Sequence, residues 1–222
     1  MTRRSAILTG FGIPLWAATG KPFWDEKDPQ NWTDEERQQI LTRPPWARPA
    51  TVNYDTGPGG LTGRSAQSTM SRRGGRGTSG VVAPPSAGPT GNYQALVRWE
   101  SALPVREANR NQSKDDPAAN YILFVTGDLP MLGRRSNDES ESEFQQRLEM
   151  LKQYTRLEKR GDPIYLTRIA YAGNTGTLFY FERNDLIRLG DHQVTFTTKL
   201  GPVEVKAKFP LKEMLYHWKL EL

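Results

Sequence analysis

The stretch Asp55–Asn92 limits what this chain can fold into more than any other part of it. It is built from Gly, Ser, Thr, Pro and Arg, with hardly a large apolar side chain. Such a segment buries too little surface to offset the entropy lost on ordering it, so it is expected to be disordered. The packed body must then come from two pieces of sequence, Lys21–Tyr54 and Tyr93–Leu222. Composition agrees, because only 36% of the 222 residues are hydrophobic while Gly and Pro number 20 and 16. That is too few apolar residues for a chain packed from end to end.

The formal net charge of +5 is confined to the same unpacked parts. Arg3 and Arg4 stand near the N-terminus, and Arg64, Arg72, Arg73 and Arg76 face Asp55 alone within the insertion. The remainder is close to neutral and lacks the basic field with which a folded domain displaces counterions from nucleic acid. Ser71–Gly77 (SRRGGRG) resembles the arginine-glycine repeats of RNA-binding tails, but a single cluster suits a flexible linker better. Arg72, Arg73 and Arg76 are therefore candidate contacts for an acidic partner, with nucleic acid the less favoured one. The chain has no cysteine, which excludes disulfides, thiol catalysis, cysteine-ligated zinc and a lipoprotein anchor.

Met1–Gly20 has the form of a secretory signal. Two arginines precede an uncharged run from Ser5 to Gly20 that is apolar mainly from Ala6 to Ala18, and Ala18-Thr19-Gly20 offers small side chains for cleavage before Lys21. The run is shorter than the roughly 20 residues that span a bilayer. An exported product, periplasmic or extracellular and without a membrane span once the signal is removed, is expected.

In Lys21–Tyr54, Thr33 and Glu36 form a capping box for a helix from about Asp34 to Leu41, which Pro44 and Pro45 stop. Trp24, Trp32 and Trp46 flank that helix and are expected to pack it onto the body, with a strand at Ala50–Tyr54. Beyond the insertion, Gln94–Glu100 alternates as a strand, Ser101–Asn111 reads as a helix, and Tyr121–Thr126 is a two-sided buried strand. This order suggests a right-handed crossover and a parallel pair. Phe144, Leu148, Leu151, Tyr154 and Leu157 recur at helical spacing and predict one long helix over Ser136–Arg160, with capping boxes at Ser136/Glu139 and Ser140/Glu143. The period then switches to two. Ile164–Tyr171 and Thr177–Arg183 read as one hairpin, Asp191–Lys199 and Val203–Phe209 as a second, and His217–Leu222 as a closing strand. The fold expected is α+β, with a mixed, largely antiparallel sheet, one long helix and a disordered glycine-rich insertion.

Chemistry is sparse. His192 and His217 lie in or beside predicted strands with no second histidine at metal-ligand spacing, so neither a metal nor a cofactor is expected. There is no Gly-x-Ser-x-Gly elbow, P-loop or dinucleotide fingerprint. Asp115-Asp116 sits in a polar loop and Asp138–Glu143 at a helix start, which accounts for both acidic groups. The remaining polar string is Arg98-Trp99-Glu100-Ser101, where Arg98 and Glu100 share one strand face and can pair there. No residue is singled out as catalytic; Arg98 and Glu100 join the three insertion arginines as candidate contacts.

FWDEKDPQNWTDEE (Phe23–Glu36), LTRPPWA (Leu41–Ala47), VRWESALPVREA (Val97–Ala108) and TKLGPVEVKAKFPLKEM (Thr198–Met214) together resemble an uncharacterised family of exported bacterial proteins. Its members have a tryptophan-rich start, a glycine-rich insertion and a β-rich end. The resemblance implies export and a shared fold, and no activity. The function expected is a non-enzymatic binding or assembly module of the cell envelope. An envelope hydrolase using carboxylates such as Glu100, or an RNA binder acting through the arginine-glycine cluster, are the alternatives. If the insertion is unpacked, deleting Gly59–Gly88 will leave the thermal unfolding midpoint nearly unchanged; a large drop in a melting curve would show that it packs.

Overall fold

The computed structural model describes residues 21–54, 94–110, 117–127, 129, 132, 135, 138–172, 176–201 and 203–222. The expected signal Met1–Gly20 and the insertion Asp55–Asn92 lie outside the described residues, as do Asp115, Asp116 and Ser136. Among the described residues there are four helices: α1 (Phe23–Glu26), α2 (Asp34–Thr42), α3 (Leu103–Asn109) and α4 (Glu141–Tyr154). Nine strands of the described residues form one sheet. They are β1 (Ala47–Tyr54), β2 (Ala95–Trp99), β3 (Asn120–Gly127), β4 (Arg156–Glu158), β5 (Ile164–Tyr165), β6 (Arg168–Ala172), β7 (Gly176–Glu182), β8 (Gln193–Leu200) and β9 (Val203–Pro210). Their order is β5-β4-β8-β9-β1-β2-β3-β7-β6, so the first strand is inserted between β9 and β2. A separate hairpin, β10 (Leu215–Tyr216) with β11 (Lys219–Leu220), ends the chain.

The α+β class and the largely antiparallel sheet agree with the sequence; three details do not. Every pairing among the described residues is antiparallel, β2 with β3 included, so the sheet is not mixed. A parallel crossover needs a helix that travels the length of the strands across the sheet face. Helix α3 has only 7 residues, ends at Arg110 with φ 50°, and lies against α2 instead. The long helix stops at Tyr154, 14 residues in all, and Arg156–Glu158 is strand β4. Leu157 satisfies both periods, because it also alternates with Arg156 and Glu158, and pairing with β8 decides between them. The closing strand is likewise replaced by the small β10–β11 hairpin, which lies outside the main sheet.

Both interior helix starts follow their capping boxes. Thr33 Oγ1 accepts from the Glu36 N–H at 3.2 Å while Glu36 accepts from the Thr33 N–H at 3.0 Å. Ser140 and Glu143 repeat the arrangement at 3.2 and 2.8 Å. These hydrogen bonds hold both glutamates below the usual carboxylate range, from Lys27 and then Thr33 for Glu36, and from Ser140 for Glu143. At the other end of β3, Gly127 adopts φ +139°, and a Cβ there would meet the Gln94 carbonyl oxygen at 2.3 Å, so only glycine fits this turn beside β2.

The sheet curls until its two ends meet. Leu166, just after β5, donates its N–H to the Thr155 carbonyl at 3.3 Å on the β4 side. The next residue, Thr167, donates its N–H and its hydroxyl to the Tyr180 carbonyl of β7, each at 2.9 Å. Residues 166 and 167 thus join the two outermost strands, β5 and β6, and their hydrogen bonds extend the β4–β5 and β6–β7 pairs. Strand alternation fills the enclosed space. Val97, Trp99, Leu123, Phe179, Phe181, Phe196 and Phe209 are all buried. Phe196 of β8 meets Phe179 and Phe181 of β7, which is not its sheet neighbour, with ring centroids 5.3 and 6.4 Å apart in edge-on geometry. Thr155 and Thr198, both buried, pair through a 2.6 Å hydroxyl contact. Phe196→Ala removes the ring that joins opposite walls and should cost about 3–5 kcal/mol, read from urea denaturation; a loss below about 1 kcal/mol would mean the walls do not depend on it.

Candidate interaction surface

The two ends of the described chain are built into each other. Trp24 and Trp46 pack edge-on at 5.4 Å, and Tyr216 stands 6.5 Å from both Trp46 and Trp32. The three tryptophans are buried, at 9, 3 and 0% exposure for Trp24, Trp32 and Trp46, so they pack the N-terminal helices onto the body as expected. Trp46 donates its indole N–H to the Glu221 carbonyl at 3.0 Å, and the Tyr216 hydroxyl donates to the Glu107 carboxylate at 2.8 Å. Burial, and then that carboxylate, hold the Tyr216 phenol far above its ordinary pKa, so it remains a donor at any physiological pH.

Arg37 organises the neighbouring polar cleft. The residue is 7% exposed, and its guanidinium donates to the carbonyls of Trp32 (3.3 Å), Glu107 (2.8 Å) and Pro29. A single side chain therefore ties the 3-10 turn Pro29–Asn31, helix α2 and helix α3 together. The cleft over it, of about 610 Å³, is lined by Asp28, Pro29, Gln30, Arg37, Glu107 and Arg110. Its charges balance, and Asp28 and Glu107 are already engaged, by the Gln30 N–H and the Tyr216 hydroxyl.

Arg98 and Glu100 come together as expected. Arg98 Nε lies 2.8 Å from Glu100 Oε2, and the two side chains are 13 and 18% exposed. Asn109 of α3 donates to the other Glu100 oxygen, while Arg98 also reaches the Leu41 carbonyl at the end of α2 and lies 5.0 Å over the Phe124 ring. Both carboxylate oxygens are occupied, and the pair acts as a clamp between β2, α2 and α3 with Trp99 fully buried beneath. Arg72, Arg73 and Arg76 lie outside the described residues. Among the described residues no three His, Asp or Glu side chains converge as a metal site, and no helix is long and apolar enough to cross a membrane.

What the sequence reading missed is the tip of the β10–β11 hairpin. Tyr216 pairs with Lys219, leaving His217 and Trp218 as a two-residue turn with φ of 47° and 66°. Turns of this kind favour Asn-Gly or Asp-Gly, because a side chain crowds the backbone at positive φ. Here they carry a histidine and a tryptophan, and Trp218 is 78% exposed. The tip is pinned to the body, since the His217 N–H donates to Asp25 Oδ1 at 2.7 Å and Lys21 Nζ sits 5.8 Å from the Trp218 ring centroid. An aromatic-rich C-terminus was the only signal in the sequence, and nothing in it marks a turn.

No protein-family model matches the chain, and no curated protein or solved structure is significantly similar to it. If Arg98 and Glu100 act as one clamp, a double-mutant cycle with Arg98→Met and Glu100→Gln should give a coupling of about 1–2 kcal/mol in unfolding free energy; additive losses would show two independent side chains.

Proposed function

We propose that this protein is an exported, non-enzymatic module of the bacterial cell envelope that works by binding, with the His217–Trp218 hairpin tip as its contact face. The observation that carries the reading is the placement of Trp218: a large indole 78% exposed on a turn whose backbone disfavours any side chain. Strain of this sort, of order 1–3 kcal/mol per residue, persists where surrounding structure enforces it and clusters at functional positions. Asp25 and the Tyr216–Glu107 hydrogen bond supply that enforcement. Export rests on the basic start and apolar run of Met1–Gly20 and on the family resemblance of Phe23–Glu36, Leu41–Ala47, Val97–Ala108 and Thr198–Met214. The insertion arginines Arg72, Arg73 and Arg76 serve in this reading as a tether or secondary contact for acidic groups.

A photo-crosslinking residue placed at Trp218 should yield discrete adducts in the envelope fraction, on protein that lacks residues 1–20. The same probe at Leu186, an exposed apolar residue at 53%, serves as the control and should yield none. Equal labelling at both positions, or none at Trp218, would overturn the assignment of the contact face.

A further inference from the structure

The hairpin tip has the chemistry of a residue set that settles at a lipid headgroup layer, and we propose that it seats on an anionic phospholipid surface. This rests on the reading of the tip as the contact face. Indole is apolar over most of its area and polar at one N–H, which places it at the boundary between acyl chains and water. Around Trp218 stand Lys21 and Lys219, both exposed, with the exposed His217 beside them. Asp25, the acid that contacts the tip, is turned to the hairpin, accepting the His217 N–H, and its side chain is only 17% exposed. The outward charge at the tip is therefore positive and complements an anionic membrane.

Chain connectivity favours a bilayer over other anionic partners. Lys21 directly follows the uncharged run Ser5–Gly20, whose apolar part, Ala6–Ala18, would enter the bilayer during export. The first residue to emerge is then held at headgroup level, and Trp218 is the side chain packed beside it. Cleavage before Lys21 leaves an α-ammonium at the same place, so the patch keeps its character either way. One indole and two lysines give weak, reversible seating, which orients the body rather than anchoring it.

The test uses the full-length gene in a Trp16→Phe background, with vesicles of phosphatidylglycerol and phosphatidylethanolamine carrying brominated acyl chains. Trp24, Trp32, Trp46 and Trp99 are buried, so quenching on contact reports Trp218. Quenching should require phosphatidylglycerol, fade with added salt and vanish in Trp218→Ala. Partitioning should weaken about fivefold in Lys219→Gln, from about 1 kcal/mol per basic residue at an anionic surface. Quenching that survives Trp218→Ala, vesicle binding without quenching, or quenching by polyuridylate in place of vesicles would each overturn the lipid assignment. A protein adduct at position 218 without quenching would leave the contact face standing and remove the lipid; neither adduct nor quenching would remove both.

Discussion

Edge-on contact between Phe196 and the pair Phe179 and Phe181 is the interaction on which the rest of the molecule depends. β7 and β8 stand far apart in the order of the sheet, so these rings can touch only if the sheet curls. Curling in turn brings the outermost strands β5 and β6 together through Leu166 and Thr167, which hydrogen-bond to Thr155 beside β4 and to Tyr180 of β7. The interior is therefore a packed core of aromatic and branched side chains, and contacts with other molecules are left to the outside and the ends.

At one such end, the helices and the C-terminal hairpin form a second, smaller packing unit around Trp46 and Tyr216. Its polar members are arranged to be consumed internally: Arg37 by main-chain carbonyls, Glu100 by Arg98 and Asn109, Glu107 by Tyr216. Buried charges need such partners, because desolvation without them is costly. Against this background the exposed indole of Trp218 stands out, since neither burial nor hydrogen bonding accounts for it.

Much of this was legible in the sequence where one period was unambiguous. The alternation of Ala95, Val97 and Trp99 and the capping boxes at Thr33/Glu36 and Ser140/Glu143 appear where their spacing placed them. The Arg98–Glu100 pairing followed from alternation as well. Legibility ended where tertiary pairing decides. Leu157 fits a helix stripe or a strand, and only β8 selects the strand. A parallel β2–β3 pair was a fair expectation from element order, and the shortness of α3 defeats it. Arg37 looked like any basic residue on a polar helix, because its acceptors are carbonyls that no sequence pattern displays. The His217–Trp218 turn breaks the composition rule by which turns are found, so the contact face was hidden by the same strain that marks it.

The insertion of β1 between β2 and β9 bears on the order in which the chain can fold. Val52 pairs with Val205, and the indole of Trp46 needs the carbonyl of Glu221, so residues near the start wait for residues near the end. Contacts of such long sequence separation close slowly, after the local hairpins have formed. A nascent chain of this design has no stable core to complete until nearly all of it has been synthesised. Until then only the local hairpins can form, so the core is the last part of the molecule to be completed.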